Sequence, residues 1–165
     1  MVIDISTHNG TIDFSKVKSQ VKGVMIRVGY GSNGVEVDAK FNRNVSECIK
    51  HNINFGFYLY SYATNMESAK LEVKEYINII KDYKPRLPVV IDTEDADGWR
   101  GKNGNPSWKL LADMLVYQLN ELEKAGYFAM YYVNKHWYDN LIKVNNTLNK
   151  YALWLAHWYI DKPSV

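Results

Sequence analysis

The chain reads as an α/β protein built on a parallel sheet. Three observations predict it. Short apolar runs alternate with helical patterns, and successive runs begin about 20 to 40 residues apart, the spacing of βα units. Acidic residues stand where two of the runs end, at Asp4 and at Asp92 with Glu94. No linker, composition shift or low-complexity segment divides residues 1–165, so one domain is expected.

The elements follow in order. Val2 to Ser6 is the first strand. Asp13 is placed to cap a short helix carrying Phe14, Val17 and Val21. Val24 to Val28 is the second strand, running into Gly29-Tyr30-Gly31, and a helix with Phe41, Val45, Cys48 and Ile49 comes next. Asn54 to Tyr60 is the third strand. Ala69, Val73, Ile77 and Ile80 share one face of a helix from about Met66 to Ile80. Pro85 and Pro88 lead into the fourth strand, Val89 to Thr93. Ser107 caps a helix over Trp108 to Lys124, whose apolar face holds Leu111, Leu115, Leu119 and Leu122, and Gly126 stops it. Tyr127 to Tyr132 is the fifth strand, a helix near Trp137 to Val144 follows, and Ala152 to Ala156 is the sixth strand. Five helices and six strands result. Pattern alone does not separate a barrel from an open sheet, and an ordinary eight-fold barrel needs about 250 residues.

Composition narrows the function. A net charge of +2, from 20 basic and 18 acidic residues with no basic run, argues against nucleic acid. No stretch of 18 apolar residues argues for a membrane span, and no export signal is recognisable. Secretion, or release to the cell wall without a signal peptide, is the expected destination. The lone cysteine, Cys48, excludes an internal disulfide and reads as a buried thiol. Thirteen Tyr and five Trp offer both core and stacking faces.

Asp92 and Glu94, at i and i+2, point to one side of a strand, with Cα atoms about 6.5 to 7 Å apart. Sites in parallel βα folds gather at the C-terminal ends of strands, where Asp4 also stands. Glycoside hydrolysis needs one carboxyl group protonated and another ionised, and crowding of like charges divides them. A plainer alternative is that Asp4 or Asp92 caps a helix or pairs with Arg27. Asp92, Glu94, Asp95 and Asp97 are also hard oxygen ligands, but their spacing fits no EF-hand loop, so no metal is expected. His8, His51, His136 and His157 are not clustered, and no G-x-S-x-G elbow is present. Residues 29–34 lack the phosphate-loop signature, and Gly29 and Gly31 read as allowing close approach of a ligand or a neighbouring strand.

The polar loop 95–107 rims any site at Glu94. Trp99 is a stacking face or a loop anchor, and Arg100 and Lys102 are placed to meet an anionic substrate. Tyr58, Tyr60 and Tyr62 share a side, Tyr58 being as well suited to core. The candidate substrate contacts are Tyr60, Tyr62, Arg27, Trp99 and Trp158; the candidate catalytic set is Glu94, Asp92 and Asp4.

Taken in order, Asp4-Ile5-Ser6-x-His8-Asn9-Gly10 with Ile12-Asp13-Phe14, Arg27-x-Gly29-x-Gly31, Gly56-Phe57-Tyr58-x-Tyr60, Asp92-x-Glu94 and Trp154-x-Ala156 resemble the glycoside hydrolase family 25 lysozymes. The resemblance implies a modified TIM-like barrel with about five helices, and cleavage of the β-1,4 bond between N-acetylmuramic acid and N-acetylglucosamine in peptidoglycan. It implies that Glu94 is the general acid, that Asp92 positions the N-acetyl group or attacking water, and that Asp4 is the first-strand acid. It implies no metal and no organic cofactor. Members continue past the W-x-A strand with two more strands and a further acid, which Asp161 does not match. The barrel is therefore expected to be incomplete at its C-terminal side, with exposed edges that a partner chain or a second copy would close. A non-catalytic glycan-binding or assembly protein on the same scaffold is the competing reading, and a chitinase-like hydrolase a weaker third.

Overall fold

The computed structural model describes residues 1–31 and 33–156. Six strands lie parallel: β1 (Val2–Ile5), β2 (Gly23–Gly31), β4 (Phe55–Tyr60), β5 (Val89–Asp92), β6 (Ala129–Asn134) and β7 (Ala152–Ala156). Their order in the sheet, β1-β2-β4-β5-β6-β7, is their order in the chain. A sheet wound in one direction keeps its helices on one side and curls, so the molecule is an incomplete TIM-like barrel and not a doubly wound sheet. Among the described residues β1 and β7 are each paired on one side only.

A seventh strand, β3 (Val35–Val37), pairs antiparallel with the end of β2 and was not expected from the sequence. Three residues of mixed polarity carry no periodic signal. The hairpin explains Gly29: a Cβ there would lie 2.0 Å from the Glu36 carbonyl oxygen, so the close approach is by strand backbone.

Among the described residues there are six α-helices: α1 (Phe14–Val17), α2 (Phe41–Lys50), α3 (Met66–Ile80), α4 (Trp99–Lys102), α5 (Trp108–Lys124) and α6 (Lys135–Val144). Side-chain caps mark most of their starts. Asp13 accepts from the Ser15 N–H, Asn65 and Ser68 form a capping box, Ser107 accepts from Leu110 and Asn134 from Trp137. Gly126, at φ 88°, ends α5 in the left-handed conformation. The one helix missed is α4, a single turn inside the loop read as irregular.

Strand alternation divides the residues. Val24, Ile26, Val28, Phe55, Phe57, Leu59, Val89, Ile91, Ala129, Tyr131 and Val133 face the helices and join Phe41, Val45, Val73, Tyr76, Leu115 and Leu119 in one core. Cys48 is fully buried there, and burial pushes its thiol up to about 12. The intervening residues line the concave side.

Candidate active site

The register of the parallel ladder aligns Tyr60 of β4 with Asp92 of β5, Asp92 with Tyr132 of β6, and Tyr132 with Trp154 of β7. These four belong to the concave row near the C-terminal ends of their strands. Asp4, on the same side of β1, completes the setting: Asp4, Tyr58, Asp92, Tyr132 and Trp154 line one hollow of about 130 Å³. Trp154 meets the Tyr132 ring edge-on, with centroids 5.2 Å apart. A larger cleft, about 560 Å³, is formed by residues 83–89 and 126–128, at the opposite ends of the strands. No carboxylate lines it, so its size carries no catalytic argument.

Asp92 is 7% exposed, and its Oδ1 accepts no hydrogen bond from the described residues. Burial raises its pKa well above the usual carboxylate range; the nearby Glu94 and Asp4 charges push the same way, while Arg100 and Arg27 oppose. Glu94, just past the end of β5, is half-buried, and its carboxyl is also raised, by burial first and then by Asp97, with Arg100 opposing. Both acids therefore hold their protons to higher pH than free carboxylates do. Tyr58 and Tyr132 are held protonated by burial and by these same anions, so their hydroxyls are donors.

The remaining expected residues fall as follows. Tyr60 accepts the Ala96 N–H at its hydroxyl, and its ring lies 4.9 Å from that of Tyr62. Tyr62 in turn lies 5.0 Å from Trp99, which is 40% exposed, and donates its hydroxyl to Asp97. The three rings form one aromatic rim beside Glu94. Arg27 stands in the concave row, but its fork is engaged: Nε and Nη2 reach Asp38 Oδ2 at 2.8 and 2.7 Å. Asp38 also accepts from the Thr7 and Lys40 N–H groups, so Arg27 pairs with neither Asp4 nor Asp92. Trp158 lies outside the described residues.

Arg100 corrects the sequence reading. It is 2% exposed and turns inward, so it meets no substrate from the loop surface. Asp95 accepts the Arg100 and Gly101 N–H groups and so caps α4. Gly31 serves packing as Gly29 does: a Cβ there would lie 1.8 Å from Glu72 Oε1. Tyr58, Tyr132 and Trp154 were not named as site residues. The signal that finds them is parity counted from Asp92 across the ladder, which requires the strand register.

Among the described residues no cluster of three or more metal-ligating side chains is present, and no helix is long and apolar enough to cross a membrane.

Solved structures share this architecture. The modular autolysin LytC from Streptococcus pneumoniae, solved with a synthetic peptidoglycan ligand, superposes with a TM-score of 0.81 at 27% identity, over 94% of this chain and 37% of that one. A family 25 glycosyl hydrolase from Bacillus anthracis gives 0.80 at 23% identity, over 98% and 71%. A muramidase from Trichobolus zukalii gives 0.76 at 15% identity, over 98% and 79%; these last two establish fold alone. The chain thus spans little more than a third of the length of the pneumococcal autolysin. No curated protein matches the sequence. The family model described as glycosyl hydrolases family 25 matches residues 3–165, and the chain belongs to that family.

Proposed function

We propose that the protein is a peptidoglycan hydrolase that cleaves the β-1,4 bond between N-acetylmuramic acid and N-acetylglucosamine by general acid catalysis. One observation carries the reading: two adjacent carboxyls at a strand end, one sunk in a hollow and one half-exposed, share a raised affinity for protons. Such a pair releases its protons at higher pH than free carboxylates do, which suits one of them to general acid catalysis.

Glu94, the more accessible of the two, gives its proton to the leaving glycosidic oxygen. That step breaks the bond between the anomeric carbon and the leaving oxygen, leaves Glu94 ionised and places positive charge on the anomeric carbon, to which water adds, its released proton restoring Glu94. Asp92, the carboxyl that burial biases more strongly toward its protonated form, positions the sugar beside the acid. Its Oδ1 accepts no donor from the described residues, and an acetamido N–H of the sugar is the kind of donor that satisfies a buried carboxylate oxygen. The hollow between Asp4, Asp92, Tyr58, Tyr132 and Trp154 has room for a substituent, while the Tyr60, Tyr62 and Trp99 rings offer faces to the sugar rings above it. Asp4, exposed on the rim of the same hollow, adds negative potential where the oxocarbenium charge develops. We place the protein's work at the cell wall.

Digestion of purified peptidoglycan, with mass analysis of the new reducing ends, tests this. Muramic acid at the new ends is the expected product. Glu94→Gln is expected to retain the fold and lose activity by about 10²- to 10⁴-fold. A Gln variant that clears walls at the native rate removes Glu94 from the role of acid. Retained glycan binding with no bond cleavage by the native chain favours a binding protein instead, and faster release from chitin oligomers favours a chitinase-like specificity.

A further inference from the structure

We propose that Arg100 is a positioning residue for Glu94, anchored through Ser61 to the buried Glu72. The inference rests on the hydrolase reading above and assigns that site a supporting group.

The guanidinium is almost wholly enclosed, yet no carboxylate touches it among the described residues. Nη1 donates to Thr93 Oγ1 at 2.9 Å and to the Glu94 carbonyl at 3.3 Å. Nη2 donates to the Ser61 carbonyl and to Ser61 Oγ. The Trp137 ring lies 5.5 Å from the Arg100 Cζ, giving the cation an aromatic face. The Ser61 hydroxyl donates onward to Glu72 Oε2 at 2.6 Å. Glu72 also accepts the Tyr62 N–H and the Gln118 amide, and is 2% exposed.

Burying a cation without a direct counter-charge costs several kcal/mol, and an apolar side chain would serve stability better. What the cation does here is join two chain segments. Ser61 and Tyr62 follow β4, and Thr93 and Glu94 follow β5. The first segment carries the aromatic rim and the second carries the acid. The Ser61 N–H already donates to the Asp92 carbonyl at 2.9 Å, and the fork ties the two segments again just beyond it, at Thr93 and Glu94, fixing the geometry that a glycan lying between them has to match. The charge acts as well: it opposes the rise that burial imposes on both Asp92 and Glu94. A lysine in its place would keep the charge and lose the planar fork, so the two effects separate.

The test uses the native chain, Arg100→Lys, Arg100→Met and Glu72→Gln. Reducing-end release across pH gives kcat and KM, and carbon-13 titration of the Glu94 carboxyl reports the charge effect without any activity. R100K is expected to lower kcat about tenfold, with KM within about twofold and the pH profile unmoved. E72Q is expected to lower kcat in the same way, with a smaller change. R100M is expected to lower kcat about a hundredfold and to move the Glu94 titration, and the basic limb of the profile, upward. A folded R100M with native kcat and native Glu94 titration overturns the proposal, as does a rise in KM alone, which would mark a substrate contact. If R100M does not fold, R100K decides: native kcat overturns, reduced kcat at unchanged KM supports. If the native chain releases no reducing ends, the hydrolase reading fails by itself. The carbon-13 chemical shifts of labelled Glu94 and Tyr62 in R100K, which keeps the charge, then decide the positioning role, displaced shifts supporting it and native shifts overturning it.

Discussion

Replacing Gly31 by Ala adds a single methyl group at the end of β2, where the structure leaves no room for one. The new Cβ would lie 1.8 Å from Glu72 Oε1, 2.7 Å from its Cδ and 2.8 Å from the Tyr62 nitrogen. An ordinary carbon–oxygen contact is about 3.5 Å, so the Glu72 carboxylate has to retreat by well over 1 Å. Its hydrogen bonds to the Ser61 hydroxyl, the Tyr62 N–H and the Gln118 amide, at 2.6, 3.0 and 3.0 Å, cannot all survive that movement. Bonds to a charged group are worth about 1.5 to 3 kcal/mol each. Losing one or two of the three predicts a cost of about 3 to 4 kcal/mol, equivalent to roughly 10 °C in Tm for a chain of this size. Urea unfolding followed by tryptophan fluorescence and circular dichroism measures it. A double-mutant cycle sharpens the test. Glu72→Ala removes the nearest obstacle and leaves only the Tyr62 backbone nitrogen at 2.8 Å, so G31A made in the E72A background is expected to cost clearly less than it does in the native chain. Additive costs, or a single G31A variant within about 0.5 kcal/mol of the native protein, would refute the steric argument.

Two further outcomes are expected. Asp92→Asn removes the carboxyl group most disfavoured by burial. Because folding raises the proton affinity of Asp92, its penalty is absent below its unfolded value and grows as pH rises toward its folded value. The stability of D92N relative to the native chain is therefore expected to increase from about pH 4 to about pH 7, while peptidoglycan cleavage is lost; a pH-independent difference in urea midpoints would contradict this. Cys48, fully buried with its thiol raised to about 12, is expected to resist a thiol reagent in the native state and react only on unfolding. Prompt labelling of the folded protein would place the helix α2 face nearer solvent than the packing allows.

The sequence by itself determined the βα alternation, the caps at Asp13 and Ser107, the apolar faces of α2, α3 and α5, and the grouping of Asp4, Asp92 and Glu94 at strand ends. Each of these depends on short-range periodicity or on the fixed polarity of a parallel strand, and both are written in neighbouring residues. Winding direction depended on which strands pair, and only the sheet order separated a curled half-barrel from an open sheet. Tyr132 and Trp154 entered the site through register, which links residues 22 positions or more apart in sequence. Arg100 stands in a polar loop whose composition predicts solvent exposure. Its burial follows from partners 39 residues away in Ser61, and through Ser61 from Glu72. Hydrogen bonds of that range are satisfied by the packed chain as a whole, and local sequence holds no record of them.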